Sequence, residues 1–243
     1  MAIGIGTPIY DLANLPGQGK SSGGGGGSTP TVDLINNDYS MKFDRASATY
    51  MQTGINIAAD SDFSVSFWVK GGTPAGFVNN HAFGIGQGGN PGTAGRLWGN
   101  RFIVQSYDNT GANFGNRVID IDIYDGNWHH LVFTRDSSTG QYFAYTAGAN
   151  VQWIGIYGAS NAPSVVFQTP PSGDLYLGIA ESSSAPNPFA FDGSIDEFAL
   201  FNRVLQEEEI KAIYDSTNDN PGKTAKLDTL STGAPLAWYR MGD

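Results

Sequence analysis

The stretch FDGSIDEFALFNRVLQEEEIKAIYD, residues 191–215, sets two adjacent carboxylic acids, Asp196 and Glu197, inside an apolar run. A retaining glycosidase flanks the scissile bond with two carboxyl groups about 5–5.5 Å apart. Neighbouring residues of a regular strand point to opposite faces, so an adjacent pair does not meet that requirement. The apolar alternation also slips between Ile195 and Phe198, which predicts a bulge at the pair. The pair therefore reads as framework rather than as a catalytic site.

Other chemistry-bearing residues lead to the same reading. His129 and His130 follow Trp128 on a strand and face opposite ways, so they do not chelate one metal as an H-x-H pair would. One of them is expected to be packed and hydrogen-bonded and the other exposed. His81 is the third histidine of the chain. No G-x-S-x-G elbow follows a predicted strand, and no Ser-His-Asp arrangement can be picked out. The Gly-rich segment GIGQGGNPGTAG, Gly84 to Gly95, lacks the Lys-Ser/Thr of a phosphate loop and is expected to be a mobile surface loop. The chain has no cysteine, which excludes disulfides, thiolate metal sites and a thiol nucleophile. With 13 basic residues against 23 acidic ones it lacks the clustered cations of a nucleic-acid surface.

The elements that must position these residues are mainly strands. In DFSVSFWVKGG, Phe63, Val65, Phe67 and Val69 alternate with Ser64, Ser66, Trp68 and Lys70. NRFIVQSYDNTG reads as a strand ended by Asp108, Asn109, Thr110 and Gly111. RVIDIDIYDGNWHHLVFTRDSSTGQYFAYTAG gives two or three more strands, and GDLYLGIA turns Leu175, Leu177 and Ile179 to one side. One short helix is predicted near Leu205–Tyr214, where Leu205, Glu209 and Ile213 recur at i, i+4 and i+8 and acids crowd the first turn. Short strands joined by Gly, Asn and Pro turns predict an all-β jelly-roll sandwich of two antiparallel sheets. GKSSGGGGGSTPT reads as a flexible linker, because five consecutive glycines do not repay their ordering entropy. Residues 1–30 are thus an N-terminal arm, and 31–243 form a single domain.

Three segments together resemble the laminin-G-like branch of the concanavalin A-like lectin-glucanase superfamily: YSMKFDRASATYMQTG, then DFSVSFWVK with DGNWHHLVFTRD, then the stretch 191–215. The resemblance covers roughly Asp38 to Asp215 and implies a jelly roll, often with a structural calcium and with glycan- or protein-binding surfaces. Laminarinase-type relatives place acids in a Glu-x-Asp-x-Glu alternation, which Asp196–Glu197 lacks. Asp44 and Asp196 occupy motifs that neighbour each other in such domains. They are the candidate calcium ligands, with capping by each Asp as the competing reading. Related domains also open with a strand like LAWYRMGD, which here stands at the C-terminus, Leu236 to Asp243. Closure by residues 236–243 within the chain is expected, with strand exchange between copies as the second reading.

Trp98, Tyr107, Trp153 and Tyr157 lie in or beside Gly/Asn-rich segments and are candidates for stacking on sugar rings, with packing in the core as the alternative. The opening MAIGIGTPIYDLANLPGQG has no basic region followed by a long apolar one, and no apolar run is long enough for a membrane span. The expectation is a non-enzymatic virion protein of a tailed phage, a capsid decoration or tail-fibre component made in the host cytoplasm. Its arm would bind capsid or tail proteins, its jelly roll would face host-surface glycans, and homo-oligomers or particle assembly would follow. A soluble carbohydrate-binding lectin is the alternative, and a glycoside hydrolase ranks last.

Overall fold

A computed structural model of the chain describes residues 30, 32–58, 61–72, 80–86, 92–98, 101–107, 113–119, 121–151, 154–155, 165–166, 173–179 and 190–240. Within 92–98, 101, 103–107, 113–118, 154–155 and 165–166 it describes the backbone alone. The arm expected over 1–30 lies outside the described residues, apart from Pro30.

In chain order the strands are β1 Leu34–Asn36, β2 Met41–Phe43, β3 Met51–Ile57, β4 Phe63–Gly71, β5 Asn80–Ile85 and β6 Gly92–Trp98. Then come β7 Arg101–Tyr107, β8 Asn113–Ile119, β9 His129–Asp136, β10 Gln141–Thr146, β11 Ala149–Val151, β12 Ile154–Gly155 and β13 Val165–Val166. β14 Gly173–Leu177 and β15 Gly193–Phe201 precede the helix α1 Glu207–Asn218, and β16 Lys223–Ala225 and β17 Ala237–Tyr239 follow it. One sheet runs β11-β10-β9-β4-β15-β17, with β13 added to β10 and β2 to β15; the other runs β12-β8-β7-β6-β5-β14-β3. β1 and β16 pair separately. The Gly84–Gly95 segment is not all loop: its ends belong to β5 and β6, which pair Gly84 with Ala94 and Ile85 with Thr93.

The two sheets meet on a cluster of phenylalanines. Phe67 of β4 stacks on Phe198 of β15 at 5.5 Å and meets Phe83 of the opposite sheet edge-on at 5.7 Å. Phe133 of β9 stacks on Phe102 of β7 at 5.4 Å. Offset and edge-on contacts are the arrangements ring quadrupoles favour, so the cluster gains more than its buried area alone.

The first sheet is buried on both faces. Phe67, Val69, Leu131, Phe133 and Leu200 enter the inter-sheet core, while Val132, Ala199 and Phe201 pack with Leu205, Ile210 and Ile213 against α1. That is why Ser64, Ser66 and Trp68 of β4 are buried along with the residues that alternate with them. Trp68, Trp128 and Tyr214 form a further cluster on the helix side, with Trp68 stacked on Tyr214 at 5.8 Å. His130 lies in this layer, its Nε2 3.0 Å from Ser66 Oγ, and burial pushes its pKa down to about 3. It is therefore neutral at ordinary pH. His129 is half-buried and lies 2.9 Å from Asp125.

α1 begins two residues later than the sequence pattern suggests because Gln206 caps it. The Gln206 N–H donates to Glu209 at 3.0 Å in a capping box. Burial alone would push the Glu209 carboxyl up, but two hydrogen bonds from Arg203, with those of Gln206 and Thr232, hold it below the usual range.

The core cluster gives a direct test. Phe67→Ala removes the ring that touches Phe83, Phe102, Phe133 and Phe198, and should destabilise the domain by about 3–5 kcal/mol in urea unfolding. A loss below about 1 kcal/mol would mean that the sheets do not pack around it.

Candidate functional site

The free edge of β15 is shared by two short strands. β2 pairs with Gly193–Ile195 through Phe43, Lys42 and Met41, and β17 pairs with Phe198–Leu200 through Tyr239, Trp238 and Ala237. Both run antiparallel to β15, so β17 followed by β2 makes one composite edge strand in a single direction. The C-terminal string therefore occupies, within its own chain, the place just ahead of the Phe-Asp strand. Asp196 and Glu197 sit at the seam between the two halves.

On the other edge, β15 pairs Asp196 with Trp68 but Ala199 with Ser66, so one extra residue is inserted. The bulge expected between Ile195 and Phe198 is this one. Glu197 takes a left-handed φ of 51°, a conformation that costs an ordinary side chain about 1–2 kcal/mol. The distortion takes both acids out of regular alternation.

Both carboxyls are buried, at 2% and 3% relative exposure. Asn37 Nδ2 donates to Asp196 Oδ2 at 2.8 Å, and the Glu197 N–H donates to Asp196 Oδ1 at 2.9 Å. Trp238 Nε1 donates to Glu197 Oε2 at 2.6 Å. Arg240 brings its Nε to 4.0 Å from Glu197 Oε1, lies over the Trp238 ring at 5.3 Å and donates from Nη2 to the Asn36 carbonyl at 2.9 Å. Among the described residues Glu197 Oε1 accepts no hydrogen bond. Burial raises both pKa values well above the carboxylate range, and the Asp196 charge adds to the rise at Glu197. Asn37, Trp238 and Arg240 pull against it without reversing it. The arrangement binds a proton tightly and presents neither acid to a substrate.

The calcium expectation for Asp44 and Asp196 needs correction. β2 and β15 are neighbours, but their register puts the two acids beyond opposite ends of the ladder. Asp44 follows Phe43, opposite Gly193, while Asp196 follows Ile195, opposite Met41. Four strand positions separate their levels, about 13 Å along the ladder, too far to share one ion. Asp44 is exposed and closes its own turn, accepting from the Ala46 N–H at 2.9 Å and from Ser47 Oγ at 2.8 Å. Among the described residues no three His, Asp or Glu side chains gather as a metal site would require.

Of the sugar-stacking candidates, Trp98 ends β6 and Tyr107 ends β7, with their side chains outside the described residues; Trp153 and Tyr157 lie outside them altogether. Asn37, Trp238 and Arg240 escaped sequence reading. The one pointer to them was the position of LAWYRMGD, which marks a strand but not the acid its indole bonds.

The protonation of the pair can be tested through stability. The native pair keeps protons that the unfolded chain releases above the ordinary carboxylate range, so it lowers stability as pH rises toward the raised values. Glu197→Gln keeps an acceptor for Trp238 and removes the charge. Its stability relative to the unsubstituted chain should increase by roughly 3 kcal/mol between about pH 5 and about pH 8. A difference that stays constant across that range would show that Glu197 is not held protonated.

Comparison with known proteins agrees with this architecture. A family model described as the concanavalin A-like lectin/glucanases superfamily, the laminin-G type, matches residues 45–211. Neuronal pentraxin-2 from human and from mouse is 25% identical over 168 residues, covering 66% of this chain and 35% of the relative. The chain thus spans about a third of the length of these relatives. Among solved structures, a Bacteroides ovatus protein assigned to carbohydrate binding superposes with a TM-score of 0.55 at 13% identity, over 86% of this chain and 51% of that one. The botulinum neurotoxin serotype G binding domain gives 0.52 at 18%, over 76% and 46%. With the family model covering well over half of its length, the chain belongs to the concanavalin A-like lectin/glucanases superfamily.

Proposed function

We propose that this chain is a non-enzymatic glycan-binding module displayed from a tailed-phage particle, as a capsid decoration or tail-fibre component. The superfamily includes lectins and glucanases, and one observation favours the lectin side. The acid pair that most resembles catalytic equipment lies beneath β17, with Asp196 bonded to Asn37 and Glu197 to the Trp238 indole. A general acid and a nucleophile must reach the glycosidic bond, and these groups are closed off from one.

The display half of the proposal draws on the chain ends. Arg240 bonds the Asn36 carbonyl, so the stretch entering the domain and the stretch closing it meet at one seam. A module tethered there through residues 1–30, with their Gly23–Gly27 run, has a single point of attachment to capsid or tail proteins. The first sheet carries α1 on its outer face, which leaves ligand contact to the second sheet and its edges. Assembly into homo-oligomers would multiply weak single-site affinities.

Two assays check this reading. The full chain should bind saccharides on a glycan array and release no reducing sugar from β-glucans. Hydrolysis abolished by Glu197→Gln would overturn the non-enzymatic assignment. Deleting residues 1–30 should abolish co-sedimentation with particles while leaving glycan binding unchanged; attachment that survives the deletion would refute the tether.

A further inference from the structure

The edge of the second sheet carries a feature that neither the fold nor the buried acids explain. β3 pairs Asn56 with Asp174 and Gln52 with Tyr176, so two extra β3 residues oppose Leu175. Thr53 fills the resulting bulge from inside. Its Oγ1 donates to the Leu175 carbonyl at 2.9 Å and accepts the Ile55 N–H at 3.1 Å, while its own carbonyl accepts from Tyr239 of the closing strand at 3.4 Å. Gly54 stands at the apex with φ 73°, and no atom lies within 4 Å of where its Cβ would be. A bulge of this kind blunts an edge against strand addition, so pairing with another chain is not its natural use.

Across the bulge, two exposed amides flank a carboxylate, and the space at Gly54 is open. Asn56 Nδ2 lies 3.3 Å from Asp174 Oδ1, and Gln52 Nε2 lies 3.5 Å from Asp174 Oδ2. Each amide keeps a second N–H and its carbonyl oxygen, and each carboxylate oxygen keeps a lone pair. Beside them Tyr50, 39% exposed, has its ring 6.5 Å from that of Tyr176. Alternating donors and acceptors held at fixed spacing, next to an accessible aromatic ring, match the adjacent hydroxyls and the apolar face of a pyranose. Asp174 supplies negative charge at the site, in a chain of net charge −10, which disfavours uronic or sialic acids.

We propose that this bulged edge, Tyr50, Gln52, Gly54, Asn56 and Asp174, is a subsite for an uncharged saccharide. The hydroxyls bind Asp174 and the two amides, the ring lies over the bulge apex at Gly54, and its apolar face packs on Tyr50. The proposal rests on the glycan-binding reading above and assigns it a place.

The test uses the full chain, a glycan array and calorimetric titration with the strongest neutral oligosaccharide found. Asp174→Ala, Tyr50→Ala and Gly54→Asn should each weaken binding at least tenfold. Asparagine tolerates the left-handed backbone, so the last variant puts a side chain at the bulge apex without unfolding the edge. Lys211→Ala, on the helix, should stay within twofold. If a neutral glycan binds and all three edge variants stay within twofold, this subsite is wrong while the glycan reading stands. A preference for anionic glycans would also overturn it. If the unsubstituted chain binds no saccharide, both the subsite and the glycan reading fall.

Discussion

The Trp238 indole N–H donating to the Glu197 carboxyl joins the last strand of the chain to its most costly interior position. Without β17, the edge of β15 from Phe198 to Leu200 would present unpaired backbone groups beside two acids, and exposed edges of that kind invite association. With β17 in place the edge is covered and Arg240 brings a cation near Glu197. Burial of a carboxyl costs free energy unless a proton, a partner or a hydrogen bond offsets it. Here all three contribute, and two of them come from Trp238 and Arg240, near the C-terminus of this sequence. The closing strand and the acid pair thus form one structural unit, and the left-handed Glu197 is strain that this unit holds in place.

This arrangement accounts for the burial of Asp196 and Glu197. The bulge removes Asp196 and Glu197 from the regular alternation that aims carboxylates at a cleft, and the seam then roofs them. The helix α1 covers the first sheet in the same way, with Trp68 and His130 layered beneath its Tyr214. With burial holding His130 neutral, that layer is aromatic packing with one Ser66 hydrogen bond. Among the described residues the second sheet has no such cover from α1, and its β3 edge is tied to the closing strand through Tyr239 and Thr53.

The sequence revealed periodic features and missed paired ones. Alternation identified β4 and β14 because their core-facing residues repeat every second position whatever their partners. The slip between Ile195 and Phe198 showed the bulge for the same reason. The helix was foreseen near Leu205–Tyr214 but runs Glu207–Asn218, because its start depends on the Gln206–Glu209 exchange and its end on Thr217, which pairs with Thr224. The neighbourhood of the Asp44 and Asp196 motifs was legible, whereas the register that separates the two acids is a property of strand pairing. Asn37 and Trp238 carry no local pattern at all: each acts on an acid far away in the chain.

The most direct test of this account is a carbon-13 NMR titration of the Glu197 and Asp196 side-chain carboxyls in the intact chain. The account predicts that both remain protonated well above the range of exposed carboxylates such as Asp44, with Glu197 sensitive to the ionisation of Asp196. If Glu197 titrated like an exposed glutamate, the seam would be open to water, and β17 would not be the roof that closes the sandwich.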